Sequence, residues 1–152
     1  MLIAPYTEDK KQSLFAFTDE VFKELGKEFE PQGRHSFYND IQSNFELFSC
    51  LTENNEVKGT VALKKIDEET VELKAMYLKK ELRGKGYGKK LIQHAIEQAK
   101  KNNYKTILLD SQSRYKAALS LYKQDGFQET QRYNDNRYAD VFMRLDLEQK
   151  EA

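Results

Sequence analysis

Apolar residues recur at two periods along this chain, and the changes of period divide it into elements. Leu2 to Pro5 is a short apolar run that suits an edge strand and ends at proline. Leu14, Phe15, Phe17, Val21, Phe22 and Leu25 then recur near helical spacing, which predicts a helix over 8–25 that ends at Gly26. Thr7 stands where an N-cap belongs, with Glu8 and Asp9 in the first turn. After the break at Pro31, Gln32 and Gly33, a weaker helix is expected over 36–45, with Phe37, Tyr38, Ile41 and Phe45 on one side.

The period then shortens to that of strands. Runs at 46–52, 57–66 and 70–78 are separated only by Glu53-Asn54-Asn55 and Asp67-Glu68-Glu69, which predicts an antiparallel meander. Gly59 within the second run marks a bulge or a close backbone approach. A glycine-rich stretch follows, then a helix over 90–101 with Leu91, Ile92, Ala95, Ile96 and Ala99 on one stripe. Residues 105–111 read as a buried strand, parallel to the one before the helix if the crossover rule holds. Residues 115–124 read as a helix stopped by Gly126. Two strands at 127–133 and 138–147 close the chain, joined through residues 134–137, and the last five residues should fray.

The glycine stretch is the chemically informative one. Arg83-Gly84-Lys85-Gly86-Tyr87-Gly88-Lys89 lies between a strand and a helix, with glycine at alternate positions. Glycine leaves backbone N–H groups open to a ligand and tolerates the positive φ of a tight concave loop. The helix start adds unpaired N–H groups and a positive dipole end. Three basic side chains complete a site suited to a polyanion such as a pyrophosphate. A Rossmann fingerprint would need glycine at 89 instead of Lys89, and a phosphate-binding P-loop would need Ser or Thr at 90 and glycine at 83. Neither fits.

Composition narrows the partners. The chain has 152 residues, enough for one domain (1–152) with a real core, and 25 basic against 25 acidic residues. Zero net charge lacks the footprint of a nucleic-acid binder. Mean hydropathy is −0.83, so the nine Phe and nine Tyr carry much of the core. The lone Cys50 sits in an apolar run, reads as a buried thiol and fits a reducing compartment. His35 and His94 have no metal-ligand spacing. No apolar run has the length of a signal core or a membrane span, so a cytoplasmic protein with no membrane or metal partner is expected.

Arg83-x-x-Gly86-x-Gly88 between strand and helix, with Met76-Tyr77-Leu78 before it and Ala118-x-x-x-Tyr122 then Asp125-Gly126-Phe127 after it, resembles the GCN5-related N-acetyltransferases (GNAT family). The resemblance spans roughly residues 1–147. It implies an α/β (α+β) fold: a mixed central sheet in the order βααβββαβαββ with helices on both faces. It implies acetyl-CoA as cofactor, held by Gly84, Lys85, Gly86, Tyr87, Gly88 and Lys89 together with Arg83. Met76, Tyr77 and Leu78 would contribute backbone to pantetheine where their strand splays from the strand at 106–111. The implied general acid is Tyr122, beside the coenzyme A sulfur, and the candidate base is Glu72; a solvent-facing Glu72 paired across strands with a lysine is the plainer reading. Tyr115 departs from the family, since many relatives have Asn there.

The resemblance places the acceptor between the first two helices and the terminal hairpin, near Phe29, His35, Phe37, Tyr38, Tyr133, Asn136 and Arg137. These suggest a small polar or aromatic amine, with a carboxylate that Arg137 would bind in bidentate fashion. The expected function is direct acetyl transfer to a small-molecule amine by a monomer or homodimer. A protein or peptide amine is the alternative acceptor, and a non-catalytic acyl-CoA sensor is the alternative function.

Overall fold

The computed structural model describes residues 1–148; the expected fraying of the last residues falls mainly outside them. Its elements are β1 (Leu2–Pro5), α1 (Lys11–Glu24), α2 (Ile41–Asn44), β2 (Leu47–Glu53), β3 (Glu56–Lys65), β4 (Thr70–Leu78), α3 (Tyr87–Lys101), β5 (Thr106–Ser111), α4 (Lys116–Gln124), β6 (Gln128–Glu129) and β7 (Val141–Asp146). This is the expected βααβββαβαββ order. The seven strands form one mixed sheet, β1-β2-β3-β4-β5-β7-β6. Only β4 and β5 are parallel, joined by the α3 crossover.

Strand alternation divides the apolar residues between two faces. Leu51, Val61, Leu63, Val71, Leu73, Ile107, Leu109 and Met143 pack against the α3 stripe Leu91, Ile92, Ala95, Ile96 and Ala99, with Tyr122 and Phe127. Phe48, Cys50, Val57 and Ala62 meet Leu14, Phe17 and Val21 of α1, and Tyr38 and Ile41. Burial pushes the Cys50 thiol up to about 12, so it behaves as a small apolar side chain.

Four boundaries differ from the sequence reading. Residues 8–10 form a 3-10 turn before α1, and the Thr7 hydroxyl donates to the Asp9 carboxylate instead of capping backbone. The weak helix breaks in two: Ser36–Asn39 is a 3-10 turn, and Asp40 starts a fresh turn by accepting from the Ser43 N–H at 3.3 Å. The helix after the glycines begins three residues early, at Tyr87. The terminal hairpin is mostly loop, because β6 has two residues and 130–140 are irregular. In that loop Asn134 Oδ1 accepts from the Asn136 N–H at 3.0 Å, and Asn136 Oδ1 from the Tyr138 N–H at 3.1 Å. Two successive Asx turns displace the ladder.

Gly59 is a close approach. A Cβ there would lie 3.0 Å from Leu78 Cδ1, 3.2 Å from Leu91 Cδ1 and 3.3 Å from the Tyr77 carbonyl. The turn at Asn54 and Asn55 has φ of 51° and 65°, the two-residue hairpin form that asparagine tolerates.

Candidate active site

The sheet opens at its centre. β4 and β5 pair only through Thr70↔Thr106, Val71↔Ile107 and Glu72↔Leu108; beyond them, β4 has no partner on that side among the described residues. An unpaired ladder in mid-sheet leaves backbone N–H and C=O groups that need satisfaction. Opposite the opening, the β3–β4 register slips between Thr60 and Ala62, and Ala75 has φ +51°. The Thr60 hydroxyl holds this bulge by donating to the Ala75 carbonyl at 2.6 Å. An extra residue in a strand reverses which face later side chains take. Tyr77 therefore turns to the α1 side, against Phe22 at 5.4 Å, while Met76 and Leu78 pack on the α3 side.

Past β4 the chain makes a 3-10 turn at Lys80–Leu82 and then the glycine loop. Gly84 and Gly86 have φ of +76° and +90°, and a Cβ on either would meet no protein atom within 4 Å. Gly86 is the N-cap of α3. Tyr87, Gly88 and Lys89 consequently form its first turn, where backbone N–H groups point out of the helix. Gly88 also admits Leu121 of α4, whose Cδ1 would be 3.0 Å from a Cβ.

Arg83 is engaged with protein. Its Nη2 lies 2.7 Å from Glu24 Oε2 and 3.0 Å from the Leu78 carbonyl, with Nε 3.2 Å from the same carbonyl. The guanidinium thus ties the loop to the end of β4 and to the last residue of α1. Arg83→Ala is expected to weaken binding of any polyanion at the loop about fivefold, since a part-exposed ion pair contributes about 1 kcal/mol at most. Glu24→Gln should weaken it too. Calorimetry with coenzyme A on both variants checks this, and tighter binding by Glu24→Gln would show that Arg83 acts on the ligand directly.

Tyr122 projects from α4 into the core, 7% exposed, with its ring 5.8 Å from that of Phe127. Burial raises its pKa, with a smaller contribution from Tyr77, and the hydroxyl forms no hydrogen bond with the described residues. Tyr77 is itself pushed up to about 12 by burial, then by Tyr115 and Asp110. Tyr77 packs on the α1 side of the sheet and Tyr122 on the α3 side, and both stay protonated at neutral pH.

Glu72 marks the point where β4 and β5 part. It is 7% exposed, and its lysine partner is Lys74 on its own strand, Nζ 3.3 Å from Oε1. The solvent-facing, cross-strand pairing expected as the plainer reading is therefore not what forms. Oε2 accepts from the Tyr133 hydroxyl at 2.5 Å and from Asn134 Nδ2 at 3.3 Å. The Asn134 amide also donates to Asp110 Oδ2 at 2.7 Å, which Asn136 Nδ2 reaches at 3.3 Å. Burial raises the Tyr133 pKa, and its bond to Glu72 raises it further. Lys27, just beyond α1, has its pKa lowered by burial and by Arg114 and Arg34, with Asp110 acting the other way. Sequence reading missed Asp110, Asn134 and Lys74; an aspartate ending the apolar run Ile107-Leu108-Leu109 was the one local sign.

The other acceptor-side residues are placed differently. Phe29, His35, Phe37 and Tyr38 form one aromatic cluster with Phe15, Phe22, Phe45 and Phe48, at ring distances of 5.1 to 6.4 Å among the pairs Phe29–Tyr38, Phe37–Tyr38, Phe22–His35 and Phe15–Tyr38. His35 Nδ1 accepts from the Glu30 N–H at 2.9 Å, and burial lowers its pKa. Arg137 is exposed and stacks on Tyr138, 5.3 Å from the ring centre. Tyr115 is the residue before α4, with its hydroxyl 2.9 Å from Arg114 Nη2. Among the described residues no cluster of His, Cys, Asp and Glu suits a metal ion, and no helix is long and apolar enough to cross a membrane.

Comparison with known proteins gives one answer. An uncharacterised N-acetyltransferase of Dictyostelium discoideum is 37% identical over 78 residues, half of this chain and 36% of that protein. The uncharacterised N-acetyltransferase YsnE of Bacillus subtilis is 34% identical over 85 residues, 55% of this chain and 56% of its own. The chain thus matches about half or less of these two curated relatives. Among solved structures, a GNAT acetyltransferase from Staphylococcus aureus Mu50 superposes with TM-score 0.86 at 23% identity, over 97% of this chain and 99% of that one. YncA from Salmonella typhimurium, solved with acetyl-CoA, gives 0.78 at 20% identity, over 100% and 96%. The family model for the acetyltransferase (GNAT) family matches residues 14–127, and this chain belongs to that family.

Proposed function

We propose that the chain transfers acetyl from acetyl-CoA to the amine of a small molecule. The observation that carries this reading is the opening between β4 and β5, with Glu72 where the strands part and the glycine-capped start of α3 beyond it. The residues fit the cofactor. Open space over Gly84 and Gly86 admits phosphate to the backbone, and the free edge of β4 offers amide partners to an extended chain. When bound, acetyl-CoA supplies the acetyl group as a thioester.

The protein then has three tasks. Backbone N–H groups at the start of α3 hold negative charge. Glu72, with the Tyr133 hydroxyl and Lys74 at its two oxygens, would take the acceptor's proton. Tyr122 Oη holds a proton for the departing sulfur. Glu72 is 7% exposed and Asp110 is half-buried, so the groups that would receive an amine lie below the surface, within reach of a compact acceptor.

The test is thiol release from acetyl-CoA across amines, amino acids and lysine peptides. Release is expected with at least one small amine and not with the peptides. Coenzyme A binding with no release on any acceptor would favour the sensor reading; release with peptides alone would overturn the small-molecule one.

A further inference from the structure

We propose that Tyr133 carries the acceptor's proton to Glu72, as the group the amine touches directly. The proposal rests on the acetyl-transfer reading above.

Glu72 is closed in by its partners: Lys74 at Oε1, and Tyr133 and Asn134 at Oε2. A base so enclosed meets an amine through an atom that can give and take a proton at once. The Lys74 ammonium and the Asn134 amide nitrogen only donate. The Tyr133 oxygen gives its hydrogen to Glu72 and keeps lone pairs for a second donor.

Its position is built. The Tyr133 ring stands edge-on to Phe142, with centres 5.6 Å apart. Arg132 covers the same Phe142 at 4.6 Å and donates to the Asn136 and Ala139 carbonyls at 2.9 and 3.0 Å. The Asn134 amide bridges Glu72 and Asp110. The loop at 130–140 therefore holds the phenol oxygen against the carboxylate.

The step balances. An ammonium nitrogen passes one proton to Tyr133 Oη while the phenol's own proton crosses to Glu72 Oε2. A neutral amine, an intact phenol and a protonated carboxyl result. As the N–C bond forms and the acyl–sulfur bond breaks, the second N–H proton leaves to solvent. Tyr122 supplies the proton for sulfur and regains one from solvent, as Glu72 returns its own. The charged groups facing this pair are Lys74 on β4 and Asp110 on β5. Lys64 stands opposite Glu72 on β3, and Arg144 on β7 turns to Asp146 at 2.8 Å.

The experiment compares wild type, Tyr133→Phe, Glu72→Gln and the double variant on a cationic amine accepted by wild type, from neutral pH up to that amine's own pKa. Each single variant should lose roughly 10²-fold in kcat at neutral pH, and the double variant no more. Both deficits should shrink about tenfold per pH unit, as the amine loses its proton unaided. Thermal unfolding checks the fold. Proton NMR should show a downfield phenol proton in wild type that both single substitutions remove. If Tyr133→Phe keeps more than half of kcat, or its deficit stays constant with pH, the relay is wrong and the acetyl-transfer reading stands. Absence of the downfield proton in wild type also overturns the relay. A wild type that acetylates no amine refutes that reading and the relay together.

Discussion

Coenzyme A at 100 times its dissociation constant should stabilise the wild-type protein by about 2.7 kcal/mol, and Gly86→Val should abolish that response. The reason lies in two features of one residue. Gly86 caps α3 at φ +90°, where a β-branched side chain is strained by about 1–3 kcal/mol. Its missing Cβ faces open space, so a side chain there would fill room that a phosphate needs and meet no protein atom within 4 Å. The two effects separate with Gly86→Asn, because asparagine tolerates the left-handed region. That variant should unfold near the wild-type temperature and still lose most of the thermal shift. A shift with coenzyme A that survives Gly86→Val at full size would remove this loop from the binding site.

What was legible in the sequence was what local spacing encodes. Glycines two apart between a strand and a helix announce the loop, because each acts through its own backbone. The start of α3 was misplaced by three residues, since Gly86 in a left-handed conformation can cap a helix whose first turn includes another glycine. The bulge at Ala75 left no mark on the pattern, although it decides which face Tyr77 takes. Contacts across the fold were not legible at all. Arg83 meets Glu24 across 59 positions, and Tyr133 meets Glu72 across 61. Residues 127–133 have strand-like content, but paired Asx turns at Asn134 and Asn136 satisfy that backbone locally and turn both amides to Asp110.

Removing one oxygen from Tyr122 is expected to cost roughly 10²-fold or more in kcat while leaving coenzyme A affinity near that of wild type. Burial raises the pKa of this phenol, so it keeps its proton at neutral pH. That would make it a feeble acid toward water, but in the proposed role its partner is the departing sulfur. The same dry surroundings penalise negative charge on a departing sulfur, so the sulfur's demand for a proton rises along with the phenol's hold on it. The exchange stays near balance where bulk solvent would be excluded. Tyr122→Phe preserves the ring that packs on Phe127, and the hydroxyl makes no bond with the described residues that the fold would lose. Stability should therefore change little. A loss confined to kcat, with calorimetric affinity intact, marks an interaction made chiefly in the transition state. Steady-state kinetics on an acceptor for which chemistry limits the rate provide the measurement. If Tyr122→Phe retains more than about half of kcat there, Tyr122 is a packing residue, and the sulfur takes its proton from another donor.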